Sequence, residues 1–277
     1  MIPPTIPDLI ARAAAHPFLG EHLVMGQGVH SDIALAQFDG MELASAYEPI
    51  FDISVHALAQ SLSSGAEGVD RFGDELGFQA VTHPLGAAPF EVFDPFDRCG
   101  ADQELVALDR MARALHAINF FGAQRHGLLF LRVHERLLKS VKYDHGRHFS
   151  SVLMSFGLNP SRVVIELPAA AVAHKTFLGY LTKSYQHYGF KVAGNLSNAG
   201  QILSVSETAR LDFIKMDAAV ALRESMVKAL VGYASRLRIP LIFNRVMDEA
   251  QFVALQQYDV RFVQGPLFNA HYHDRAV

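Results

Sequence analysis

From about residue 102 onward, apolar positions fall into two alternating periods. Residues 102–124 carry them at helical spacing and precede the strand-like run GLLFLRVH at 127–134. The unit then repeats. VVIELP (163–168) follows a helical pattern at 136–156, KVAGNL (191–196) one at 169–188, and FIKMD (213–217) a shorter one at 198–209. PLIFNRV (240–246) follows 218–236, and RFVQGPLF (261–268) follows 248–258. Strands alternating with helices imply parallel pairing through right-handed crossovers. Upstream, AYEPIFDI (46–53) and VHALAQSL (55–62) read as an antiparallel pair joined around Asp52, and 6–15 reads as a short helix. Residues 63–100, rich in Gly, Pro and Asp, read as an irregular excursion.

Six parallel strands plus the upstream pair make about eight, which predicts an α/β fold, a (β/α)8 barrel over 41–277 with a helical cap over 1–40. No G-x-G-x-x-G follows an early strand and no G-x-x-x-x-G-K-[ST] occurs, so the open-sheet phosphate loops have no support.

Composition narrows the classes. The 277 residues are 50% hydrophobic and 19% charged, with a net charge of −4, which excludes a disordered chain. No lysine/arginine run provides the footprint of nucleic-acid binding. A single cysteine, Cys99, closes no internal disulfide, and no stretch has the length of a membrane span or the form of a signal peptide. The expected location is the cytoplasm.

In a barrel the C-terminal strand ends carry the chemistry. Those ends hold Arg132 and His134, Glu166, Asn195, Lys215 and Asp217, Asn244 and Arg245, and Gln264. For any one of them a satisfied ion pair competes with a site. Lys215 and Asp217, two apart on one strand and so on one face, favour a site.

YEPIFD, VVIEL, FIKMD and FVQGPLF, in this order, resemble the EAL-domain family of bacterial cyclic-di-GMP phosphodiesterases over about residues 46–268. The resemblance implies a metal-dependent site, and this chain departs from it at most ligand positions. The family's Q-P-I is Glu48-Pro49-Ile50. The E-A-L motif with its trailing arginine aligns, to within a residue or two, on Gln60-Ser61-Leu62 with Ser64. The metal-binding Asn aligns on Arg132; the next ligand is kept as Glu166, and its E-x-x-E partner is Ala169. D-D-F-G-T-G falls on 194–199, with Gly194 and Asn195 at the two aspartates. K-I-D is kept as Lys215-Met216-Asp217, A-E-G-V-E becomes 243–247 with Asn244 at the first glutamate, and Q-G survives as Gln264-Gly265.

Relative to the family, carboxylates are missing at Gln60, Gly194, Asn195 and Asn244, and a cation is gained at Arg132. Divalent magnesium or manganese needs such oxygen ligands. The expectation is therefore no metal cofactor and no phosphodiesterase activity, with Arg132 placed to fill the vacated space beside Glu166. Glu48, Pro49, Arg132, Glu166, Lys215, Asp217, Arg245 and Gln264 remain candidates for holding the nucleotide. The first reading is an inert EAL protein that acts by binding a protein partner. The second is a cyclic-di-GMP receptor that does not cut its ligand, and the third is an active hydrolase, which requires a different motif alignment. A homodimer stays open, because the loop near which the family dimerises has diverged.

Phe72, Phe78, Phe90, Phe93 and Phe96 in the excursion are either tucked onto the barrel or offered to a partner, tucking being the commoner outcome. His145-x-x-His148 and His271-x-His273-Asp274 have metal-compatible spacing without further ligands, so they read as solvated loop histidines. Cys99 has no histidine tied to it in sequence and reads as unreactive.

Overall fold

The computed structural model describes residues 3–54, 72–86, 95–140, 145–205 and 210–273. Ten strands are hydrogen-bonded in the order β1-β2-β3-β10-β9-β8-β7-β6-β5-β4. They are β1 (Leu23–Met25), β2 (Ala34–Phe38), β3 (Met41–Asp52), β4 (Asp74–Pro84), β5 (Leu128–Arg132), β6 (Val163–Leu167), β7 (Lys191–Leu196), β8 (Phe213–Asp217), β9 (Leu241–Asn244) and β10 (Phe262–Gln264). A further β3–β4 pairing closes β3 to β10 into an eight-stranded ring, so the fold is the (β/α)8 barrel expected.

By internal contacts the chain divides into two compact units. The first comprises 1–47, 80–164 and 184–190. It opens with α1 (Ile6–Ala14), started by a capping box in which Thr5 Oγ1 accepts from the Asp8 amide while the Asp8 carboxylate accepts from the Thr5 amide. This helix buries Ile6, Leu9 and Ala13 and packs on α3 (Asp102–Gly122). After α2 (Pro17–His22), β1 and β2 form an antiparallel hairpin, and β2 pairs with β3. Asn119 of α3 ties that hairpin down, accepting from the Ala34 amide at 2.7 Å and donating to the Ala34 carbonyl at 2.9 Å. One turn earlier, buried His116 is held through both ring nitrogens, by Ser45 at 2.8 Å and Thr82 at 2.9 Å.

The second unit comprises 48–79, 165–183 and 191–277. Its β7, β8, β9 and β10 run parallel, while β10 meets β3 antiparallel with Gln264 opposite Ile50. Phe51, Phe72, Phe252 and Phe268 form one aromatic cluster with ring centroids 4.9–6.1 Å apart. Such pairs add about 0.5–1.5 kcal/mol each beyond their burial.

Several expectations need correction. The region 1–40 holds a strand hairpin as well as helices, so a purely helical cap understates it. Among the described residues β3 pairs antiparallel with β2 and β10 and also pairs with β4; the run 55–62, expected as its antiparallel partner, lies outside the described residues. The excursion 63–100 contains an eleven-residue strand, β4. Phe72 and Phe78 are tucked into the core, Phe96 stacks on His134 at 5.9 Å, and Phe90 and Phe93 lie outside the described residues. Of the pattern at 198–209, the described residues hold a 3-10 turn at Ala199–Ser204, and β10 ends at Gln264, shortly before α11 (Pro266–His273) begins. The patterns at 136–156, 169–188 and 218–236 each break into two helices, the last into α8 (Ala218–Arg223) and α9 (Val227–Leu237).

Candidate functional site

Side chains alternate along a strand, so register decides which residues share a face. Asn195 of β7 is level with Lys215 of β8, and Asp217 is level with Asn244 of β9. Asn195, Lys215, Asp217 and Asn244 therefore lie on one face of the sheet. Gly194 is level with Ile214, on the opposite face. A Cβ built at Gly194 meets Leu211 Cδ1 at 2.8 Å and Val172 Cγ2 at 3.1 Å, which confirms that this position looks away from Lys215.

The centre of the site is a buried hydrogen-bonded chain within the second unit. Lys215 Nζ donates to Glu166 Oε1 and to Gln79 Oε1, each at 2.6 Å. The Lys215 and Glu166 side chains are fully buried. Gln264 Nε2 donates to Gln79 Oε1 at 3.0 Å and to Glu48 Oε2. Asn269 Nδ2 donates to Glu48 Oε1 at 3.1 Å. Carboxylates only accept, so Glu48 fixes the orientation of both amides.

Two of the other candidates, Asp217 and Asn195, hold structural hydrogen bonds. Asp217 accepts from the Val220 amide at 3.0 Å and so caps α8, and Arg245 Nη1 stands 3.5 Å from its other oxygen. The Arg245 side chain is otherwise 72% exposed. Asn195 Nδ2 donates to the Leu167 carbonyl at 3.1 Å. Pro49 is buried in β3. Arg132 ends β5 in the first unit and is exposed. The sequence reading puts Arg132 beside Glu166; the cation paired with Glu166 is Lys215. Gly265, at φ +153°, lets the chain after β9 pass close: the Val246 amide donates to the Gln264 carbonyl at 3.0 Å, where any Cβ on Gly265 would sit 2.3 Å from the Val246 nitrogen.

Gln60 lies outside the described residues, and the glutamine found beside Lys215 and Glu166 is Gln79. Gln79-Ala80-Val81 on β4 has the form of the E-A-L triplet with glutamine first. Asn269 was also missed. The signal for Gln79 was the alternation in ELGFQAVTH; nothing in sequence singled out Asn269.

Divalent cations of the kind the family resemblance implies need several carboxylate oxygens in one place. The residues here do not fit that group. Glu166 Oε1 and Gln79 Oε1 both accept from the Lys215 ammonium, Asp217 caps a helix, and Gly194 points elsewhere. Among the described residues no three His, Cys, Asp or Glu side chains are grouped to hold a metal ion. His145 lies against Tyr185 and His148 against His16, and burial lowers the pKa of His145 and of His148, the latter to about 4. The side chains of His271 and His273, and Asp274, lie outside the described residues. Cys99 is buried, its carbonyl accepting from Arg136.

Fold and strand-end residues thus define a (β/α)8 barrel with a polar, cation-centred site. Residues 81–270 match the family model for the EAL domain, and the chain belongs to that family. Three solved structures share the fold. The cyclic-di-GMP-bound form of a standalone versatile EAL protein from Vibrio cholerae O395 is 16% identical, with a TM-score of 0.62 over 83% of this chain and 91% of that one. The Bacillus subtilis YkuI protein, in complex with substrate cyclic-di-GMP and calcium, is 19% identical, with a TM-score of 0.60 over 80% of this chain and 54% of that one. Klebsiella pneumoniae BlrP1, in a manganese/cyclic-di-GMP complex, is 18% identical, with a TM-score of 0.63 over 92% of this chain and 61% of that one. No curated protein sequence matches this chain.

Proposed function

We propose that this EAL domain does not hydrolyse cyclic-di-GMP and acts in a cyclic-di-GMP-linked bacterial pathway, in the cytoplasm, by binding another protein. The observation that carries the reading is the Lys215 ammonium, seated 2.6 Å from both Glu166 and Gln79. In a buried site that fixed cation occupies Glu166 Oε1 and Gln79 Oε1, and expelling it costs the ion pair. Placing the E-A-L triplet on Gln79-Ala80-Val81 keeps the logic of the sequence reading, since a neutral amide still stands where the family has a carboxylate. Among the described residues no helix is long and apolar enough to cross a membrane, which agrees with the location proposed.

A second reading, a receptor that binds cyclic-di-GMP intact, is favoured by one feature. Arg245 is a mostly exposed guanidinium at a strand end, and Arg forms bidentate bonds to phosphate. Calorimetric titration with cyclic-di-GMP, with and without Mg²⁺, followed by a check for linear product, tests both. The expected result is no product. Binding without product would favour the receptor, and Mg²⁺-dependent product would overturn both readings.

A further inference from the structure

Glu48 stands where the family resemblance has a glutamine, and it brings a negative charge to a site whose other formal charges, Glu166 and Lys215, already cancel. Its carboxylate is half-buried and held from one side by the amide nitrogens of Gln264 and Asn269. A carboxylate has about four acceptor positions, so two donors leave capacity for more. Three amide oxygens are buried without a donor among the described residues: Gln264 Oε1 and Asn269 Oδ1, on the two residues that hold Glu48, and Asn244 Oδ1, on the strand next to Gln264. These residues are 1%, 8% and 9% exposed. Gln264 and Asn244 end adjacent parallel strands, each one position beyond the paired Val263 and Phe243.

A buried acceptor left without a donor keeps its full desolvation penalty. Three such acceptors, two of them on residues bonded to a carboxylate, make a cluster that lacks donors and positive charge. Phosphate offers neither. A guanidinium offers both, with five N–H groups in a planar fork that matches a carboxylate, and a primary ammonium offers three.

We propose that Glu48, Gln264, Asn269 and Asn244 form a binding site for a donor-rich organic cation, an alkylguanidinium or primary alkylammonium. The cation arrives either as a free small molecule or as the side chain of an arginine or lysine. The inference rests on the metal-free reading of the site and gives it a ligand chemistry opposite in sign to that of a phosphodiester.

Calorimetry with agmatine and with Nα-acetyl-arginine amide tests it, on the full chain and on Glu48→Gln, which keeps the side-chain volume and an acceptor. Saturable binding of agmatine is expected, weakened at least tenfold in Glu48→Gln, with Asn269→Ala as a second variant expected to weaken it. Binding of both probes assigns the site to a side chain, and binding of agmatine alone assigns it to a free cation. Identical isotherms for the wild type and Glu48→Gln, or no saturation up to about 10 mM, would overturn the proposal. So would Mg²⁺ or Ca²⁺ competing with agmatine in a Glu48-dependent way, since the oxygens would then serve a divalent ion. Product from cyclic-di-GMP would end the metal-free reading while leaving the agmatine comparison readable, so the two failures are separable.

Discussion

Lys215 Nζ lies 2.6 Å from Glu166 Oε1, with both side chains fully buried. Removing one partner strands the other charge in a low-dielectric interior, whereas removing both leaves none. Lys215→Met is expected to cost about 3–5 kcal/mol of stability, and the double variant Lys215→Met/Glu166→Gln much less than the sum of the two singles. Urea unfolding midpoints for the four proteins check this.

Restoring carboxylates separates a lost metal site from one that was never there. Gly194→Asp points its new side chain at Leu211 and Val172, so it is expected to cost about 1–3 kcal/mol by overpacking and to gain no metal. Gln79→Glu, Asn195→Asp and Asn244→Glu add charge at Lys215 and on its face of the sheet. That triple variant is expected to bind Mg²⁺ measurably by calorimetry; binding by Gly194→Asp alone would contradict the register argument.

Acid sensitivity is expected to centre on the first unit. Burial pushes the pKa of His116 down to about 3, with His83 adding to the shift, so the folded ring stays neutral between Ser45 and Thr82. The unfolded chain takes up a proton below about pH 6.5 and the fold does not, so stability falls as pH drops from about 6.5 toward 3. The slope from this one group approaches about 1.4 kcal/mol per pH unit. Urea titrations at pH 7 and pH 5 measure the drop, and His116→Gln should flatten it.

Gly265 holds a conformation open to glycine and closes the gap to Val246. Gly265→Ala is expected to lose about 1–3 kcal/mol from backbone strain, and more from overlap with the Val246 amide. A thermal melt unchanged from wild type would show that the Gln264–Val246 crossing relaxes without cost.

The parallel half of the barrel was legible because most of its strands are short apolar runs that follow a helical pattern, and register then follows from alternation. What escaped was β4. Its sequence, DELGFQAVTHP, sits in a Gly/Pro/Asp-rich context that reads as loop, and its strand character comes from burial of Phe78, Gln79 and Ala80 against neighbours distant in sequence. That omission hid Gln79, the glutamine that stands beside Lys215. Lys215, Glu166 and Gln264 were visible as polar residues inside apolar strands. Asn269 was not, because a helical asparagine after a glycine carries no sequence signature until Glu48 is seen beside it.

The Asn119–Ala34 pair also sets an order in time. A chain made from its N-terminus exposes the 23–38 hairpin first, yet the side chain that clamps it comes 85 residues later. At about 5–20 residues per second, synthesis leaves the hairpin unclamped for about 4–17 s. During that interval its backbone edge is open to other nascent segments, so the start of the chain depends on α3 to finish folding.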